Sequence, residues 1–267
     1  SWARRCVYET DPQDPYIERN PAYDEEESGG SVKGDQAVTD RHGRLYTLDE
    51  ILLGTPAGGL GRGITSIEWP SAYNVGSTFV DAVGTQITAR VFKSAEMKAV
   101  TDDERFFAEN PALSVQIQGI CPYGWHIANF RDWYDLAYAA LEASRGDGTY
   151  PVREEMLTIA KLVATNANNV APWLRTQEGW NSTPARAAGA DAFDFNLYPT
   201  GWRLNKNGYG QYGDTAHSWV PLIGSSAKKT WRLNNVKATS NYWFNDNLDA
   251  GNPAVGIRCV KNYKVKK

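Results

Sequence analysis

No run of eighteen consecutive apolar residues occurs in the chain, so no stretch reads as a membrane-spanning helix. The N-terminus also lacks the charged-then-apolar pattern of an uncleaved signal peptide. Positive charge is scarce, with 28 Lys and Arg against 31 Asp and Glu and a net charge of -3. Without a broad positive field, a nucleic-acid partner is not expected. Lys261, Lys264, Lys266 and Lys267 are a local exception and read as a solvated basic terminus, with 264–267 as its tail. Histidine and cysteine are equally sparse: His42, His126 and His217, and Cys6, Cys121 and Cys259. No two cysteines are spaced as zinc ligands, and no histidine stands in a metal or nucleophile motif. The expectation is therefore no catalytic residue, no metal and no cofactor, with His126 in a core or hydrogen-bonding role.

What is present is ordinary in bulk and unusual in aromatics. The 267 residues are 42% hydrophobic and 22% charged, enough for one large core with insertions. Ten Trp and fourteen Tyr, beside many Asn and Gly, suit an extracellular recognition protein better than a cytosolic enzyme. A pair between Cys121 and Cys259 would close a loop of about 140 residues, stabilising by roughly 4–5 kcal/mol in the chain-entropy view and leaving Cys6 over. Ser1 reads as a start inside a longer precursor, which leaves room for a removed signal or a lipid-anchored residue.

The chain is organised around residues 120–141. Trp133, Leu136, Ala137, Ala140 and Leu141 recur at the spacing of one helical stripe. Asn129 reads as the N-cap, its side chain accepting from the backbone N–H of Arg131 or Asp132, and the Asp132 carboxylate suits the first turn. Cys121-Pro122-Tyr123-Gly124-Trp125 reads as a tight turn.

Upstream, residues 1–40 form an extended acidic leader, including the run Asp24 to Glu27. Residues 44–50 start as a strand. The glycines between Leu53 and Glu68 lack the sequence of a phosphate loop and read as a surface loop. Residues 78–92 predict one or two strands, and 102–110 a short helix ended by Pro111. Downstream, Pro151 opens a second helix with Val152, Met156, Ile159, Ala160 and Val163 on its buried face. Residues 173–261 read as short strands joined by long loops, closing on a buried strand at 255–260, and the segment between Trp202 and Asn252 is expected to be irregular.

Four ordered blocks carry a resemblance: CPYGWHIANFRDWYDL from Cys121, APWLRTQEGWN from Ala171, AFDFNLYPTGWR from Ala192 and VGIRCVKN from Val255. With RLYTLDE from Arg44, they resemble the Fibrobacter succinogenes major paralogous domain over residues 41–263. The resemblance implies an α+β fold of C-type-lectin-like architecture, with two helices, a small antiparallel sheet whose first and last strands pair, and long irregular loops. It also implies a secreted or surface protein of Bacteroidetes type, no agreed catalytic activity, and a bond between Cys121 and Cys259. The segment at about 51–119 departs from the family as an insertion and is expected to be a second contact surface.

Recognition is expected on the loops, through Trp202, Trp219, Trp231, Arg232, Asn234, Asn235, Asn241, Tyr242, Trp243, Asn245, Asp246 and Asn247. Rigid rings stack on apolar ligand surface while amides and charges fix orientation. The competing reading places several of these rings in the core. Trp243-Phe244-Asn245-Asp246 faintly resembles a lectin calcium signature, but the Glu-Pro-Asn or Gln-Pro-Asp partner is absent, so calcium stays the weaker alternative to no cofactor. The expected function is a non-catalytic accessory or binding protein at the cell surface or outer membrane. A lipoprotein serving a SusCD-type nutrient importer fits, with an outer-membrane complex or a glycan or peptide as partner and membrane contact only through a lipid anchor. An adhesin or variable-surface module is the alternative within this class, and a hydrolase or pilus component the alternative outside it.

Overall fold

The computed structural model describes residue 45 and residues 75–90, 92–144, 158–164, 174–180, 194–205, 208–210, 213, 215–220, 232–237, 244–245 and 255–264. The expected leader, the strand at 44–50 apart from Leu45, the glycine-rich loop, the opening of the second helix and the basic tail beyond Lys264 lie outside the described residues.

The described part opens on a hairpin, β1 (Thr78–Val80) against β2 (Gln86–Thr88), antiparallel with Phe79 opposite Ile87. Its turn is built by Asp81, whose Oδ1 accepts from the backbone N–H of Val83 and Thr85. The other oxygen of Asp81 accepts from the Gln116 N–H, and Ala82 N–H donates to the Gln116 carbonyl. The hairpin is thereby fixed to the segment entering the Cys121 turn. Two short helices follow, α1 (Ser94–Lys98) and α2 (Asp103–Glu109), then a 3-10 turn at Pro111–Ser114. Asp102 caps α2 by accepting from Arg105 N–H, and α2 stops before Pro111 as its sequence dictates.

Next come β3 (Trp125–Ile127) and the long helix α3 (Phe130–Ser144). Trp133, Leu136, Ala137 and Ala140 are buried as the helical stripe requires, joined by Phe130 and Tyr134. Asn129 caps the helix: its Oδ1 accepts from Asp132 N–H at 3.0 Å, and Asp132 Oδ2 accepts from Asn129 N–H at 2.9 Å. These reciprocal bonds make a capping box and satisfy two backbone donors that the helix start would otherwise leave open. Helix α4 is described at Ile159–Ala164 and packs on α1. Of its expected buried face Ile159 is buried, Val163 is partly buried against the core and Ala160 is half-buried, Leu162 joins them, and Val152 and Met156 lie outside the described residues.

The C-terminal half corrects the expectation of irregular loops. Strands β4 (Trp202–Asn205) and β5 (Gly208–Gly210) pair antiparallel, and β6 (Thr215–Val220), β7 (Arg232–Lys237) and β8 (Phe244–Asn245) form a three-stranded antiparallel sheet. Backbone pairing overrides the weak strand propensity of Asn and Gly here. The final strand, β9 (Cys259–Lys261), starts later than predicted and pairs antiparallel with β3, His126 facing Val260. Val255 and Gly256 precede it, Gly256 bridging to Ser218 of β6.

One buried cluster joins these pieces. Ile87, Phe92, Met97, Phe107, Leu113 and Ile117 belong to it together with Trp133, Trp219 and Val260. The described part of the expected insertion is therefore built into the core. The disulfide Cys121–Cys259 lies inside the same cluster and spans 138 residues of sequence. The arrangement is mixed α+β, with small antiparallel sheets around α3.

Candidate functional site

Two polar constellations stand out, one closed to solvent and one open to it. The closed one lies where β3, the start of α3 and the chain after β9 meet. His126 sits in β3 at 0% exposure. Its Nε2 is 2.9 Å from Asp132 Oδ2 and its Nδ1 is 3.0 Å from Asn262 Oδ1. Asn129 Nδ2 donates to the Val115 carbonyl and to the Tyr263 hydroxyl, while the Tyr263 ring meets the His126 ring edge-on at 5.4 Å. Gln116 completes the group, donating from Nε2 to the Tyr263 carbonyl at 2.7 Å and accepting from Tyr263 N–H at 2.9 Å. Burial, with the negative charge of Asp132, pushes the Tyr263 hydroxyl far above its ordinary value. An Asp–His pair is a familiar catalytic element, but catalysis needs substrate within hydrogen-bond reach. Here the partners of both ring nitrogens are internal, and the group acts as a clasp between distant chain segments.

Beside the clasp, Arg131 lies over the Phe107 ring and hydrogen-bonds Glu104 and Asp135. Burial opposes its charge, yet these carboxylates hold its ionisation above the usual value. Tyr134 donates to Asp103, whose carboxylate also accepts from Ile159 N–H, tying α2, α3 and α4 together. Asp135 is pushed up to about 6 by burial, which outweighs the opposing help of Arg131. A carboxyl held above its unfolded value binds its proton more tightly in the folded state, so stability falls as pH rises from the ordinary carboxylate range to about 6. Asp135→Asn is therefore expected to stabilise by about 1 kcal/mol above neutrality, allowing for screening and for the lost ion pair with Arg131, and to give no gain below about pH 4. Urea unfolding of both proteins at the two pH values measures this, and a gain equal at both would sink the assignment.

The open constellation is made by residues 174–180 and 194–202. Leu197 N–H donates to the Leu174 carbonyl and Thr176 N–H to the Leu197 carbonyl, so the two segments run side by side. Thr176 Oγ1 donates to the Glu178 carbonyl and accepts from Trp180 Nε1, which orients the indole. Arg175 is buried with its guanidinium 5.3 Å from the Trp180 ring, and burial lowers its pKa. Asp194 and Asn196 both take left-handed backbone, with φ of 51° and 52°. That conformation is tolerated best by Asp and Asn. It lets the chain bury Phe195 against Trp133, ring centroids 5.9 Å apart, while leaving Asp194 and Asn196 exposed. Arg258 Nη2 donates to the Asn196 carbonyl from below. Trp180, Tyr198 and Trp202 are half-buried, and Gln177, Glu178, Asp194 and Asn196 are exposed around the two segments. Half-exposed rings bordered by amides and carboxylates suit stacking and hydrogen bonding to a ligand or partner.

Of the residues expected to bind, Trp202 opens β4 and is half-buried, packed against the core cluster. Trp219 is corrected: at 3% exposure in β6 it fills the core, and no ligand reaches its ring. Arg232, Asn234 and Asn235 lie in β7, opposite Val220, Ser218 and His217, and Asn245 lies in β8 opposite Leu233. Trp231, Asn241, Tyr242, Trp243, Asp246 and Asn247 lie outside the described residues, as does most of the proposed calcium signature. Among the described residues, no group of three or more His, Cys, Asp or Glu is arranged to hold a metal ion. His217 is buried, with Nε2 2.9 Å from Thr215 Oγ1. Trp180 and Tyr198 were not anticipated as surface residues; the blocks from Ala171 and Ala192 that carry the family resemblance were the available signal.

The model of the Fibrobacter succinogenes major domain matches residues 4–261, a span that takes in most of the expected leader as well as the whole described core. No curated protein and no solved structure matches the chain.

Proposed function

The chain belongs to the Fibrobacter succinogenes major domain family, and from that premise we propose that it is a non-catalytic binding or accessory protein of the cell surface or outer membrane. The fold reading that goes with this is C-type-lectin-like: a fastened base of α3, β3 and β9 carrying recognition on its loops. One observation carries the reading. The base is closed by a buried disulfide and a buried polar clasp, while Trp180 and Tyr198 stay half-exposed on segments of short bridges and turns and Trp202 does so at the start of β4. Binding residues concentrate on loops held by a rigid scaffold. The disulfide supports export, because such bonds persist in oxidising compartments. An accessory lipoprotein of a SusCD-type importer is the assembly we favour.

Co-purification from native membranes tests the assembly: recovery with an outer-membrane transporter supports it, and recovery alone argues against it. Alanine at exposed members of Trp231, Tyr242 and Trp243 is expected to weaken binding of the partner or a glycan by about 1–3 kcal/mol each, with the melting temperature little changed. Variants that stay folded and bind like the parent would move recognition elsewhere. Turnover of a glycoside, ester or peptide substrate, abolished by one His, Asp or Glu change, would replace the reading with a hydrolase.

A further inference from the structure

Residues 255–264 cross the molecule as a strap fastened along its length. Trp219 N–H donates to the Gly256 carbonyl, Ala128 N–H to the Arg258 carbonyl, and Asn262 N–H to the Gly124 carbonyl. Between these points β9 pairs with β3. Beyond them the strap is clasped by side chains, Gln116 taking both backbone groups of Tyr263 and His126 holding Asn262. The disulfide sits in the middle, and both of its cysteines are buried.

Reduction requires a thiolate to reach one sulfur and expel the other, so a buried bond is reached only through an opening of the structure. Which opening is decided by what covers the sulfurs. Cys259 lies on the strap itself, three residues before Asn262 and four before Tyr263. We propose that the strap is the gate of this disulfide: reduction proceeds through local lifting of residues 259–264, and the Gln116–Tyr263 and His126–Asn262 contacts set its rate. In the open state a dithiol's thiolate attacks one cysteine sulfur, forming a mixed disulfide and releasing the other cysteine as thiolate, which takes a proton. The reagent's second thiol then gives up its proton, closes its own ring and releases the second cysteine as thiol. The protein disulfide gains two electrons and two protons, and the dithiol loses them. Residues that touch neither sulfur thus govern whether the bond responds to its redox surroundings.

The test follows reduction of the full chain by dithiothreitol at fixed pH, with acid quench and thiol counting by mass spectrometry. Gln116→Ala and Asn262→Ala are expected to speed reduction at least tenfold, while Lys264→Ala leaves the rate unchanged. Rates equal to the parent in both clasp variants would overturn the proposal, because attack would then occur in the closed state. The parent alone gives a second measurement if a variant fails to fold. Its reduction rate is expected to rise with urea along a slope well below that of global unfolding, as local openings do. A zero slope, or one matching global unfolding followed by tryptophan fluorescence, would overturn the gate.

Discussion

Replacing Cys121 and Cys259 together by alanine is expected to lower the free energy of unfolding by roughly 4–5 kcal/mol. The bond closes a loop across a sequence separation of 138, and a longer loop removes more freedom from the unfolded chain. Set against a typical total of about 5–15 kcal/mol, the loss would leave little reserve at 37 °C. Changing both cysteines keeps a lone thiol from pairing with Cys6. Urea titration of the oxidised parent and the double variant measures the difference. A change under about 1 kcal/mol would mean that the unfolded chain is already restrained in that region.

Asp132→Ala carries the other large effect, an expected loss of about 3–5 kcal/mol. The carboxylate accepts from His126 Nε2 and from Asn129 N–H, both buried. Alanine leaves these donors with no acceptor and breaks the capping box, whereas Asp132→Asn keeps an acceptor oxygen and is expected to lose less. Adding His126→Phe gives a double-mutant cycle, which should return a coupling of about 0.5–3 kcal/mol if the two side chains work as a unit. Additive losses would instead assign the whole effect to the helix cap.

Helix α3 was legible because everything that specifies it is local: five apolar residues at helical spacing, and Asn129 reaching Asp132 three positions on. The Asn262 partner of His126 was not legible. Asn262 lies 136 residues further along, and no short-range pattern announces such a contact. The exact place of strand β6 among the short strands expected over 173–261 was not marked, for a different reason. All six of its residues are buried, so the alternation that marks a half-buried strand is absent, and its neighbours are rich in the Asn and Gly of turns. The segment at about 51–119 was set apart because the family resemblance has no counterpart for it, yet Ile87, Phe92, Met97 and Leu113 within it are core residues. Half-exposed Trp202 was named among the expected binding residues from composition alone. Trp219 was not separable from it, since a tryptophan that stacks on a ligand and one that fills a core look identical in sequence.

The position of the strap also bears on when this protein can become itself. A chain emerging N-terminus first, from a ribosome or through a translocation pore, can form α3 as soon as its residues are free, because the cap and the apolar stripe are all present by Ser144. Asn262, Tyr263 and Cys259, which His126, Gln116 and Cys121 bond, come more than a hundred residues later. Until residues 255–264 arrive, β3 has no ladder partner and Cys121 no Cys259 to oxidise against. Folding therefore waits on a long-range closure, the slow kind of contact. In that interval the nascent chain is held open for any oxidase or chaperone that meets it.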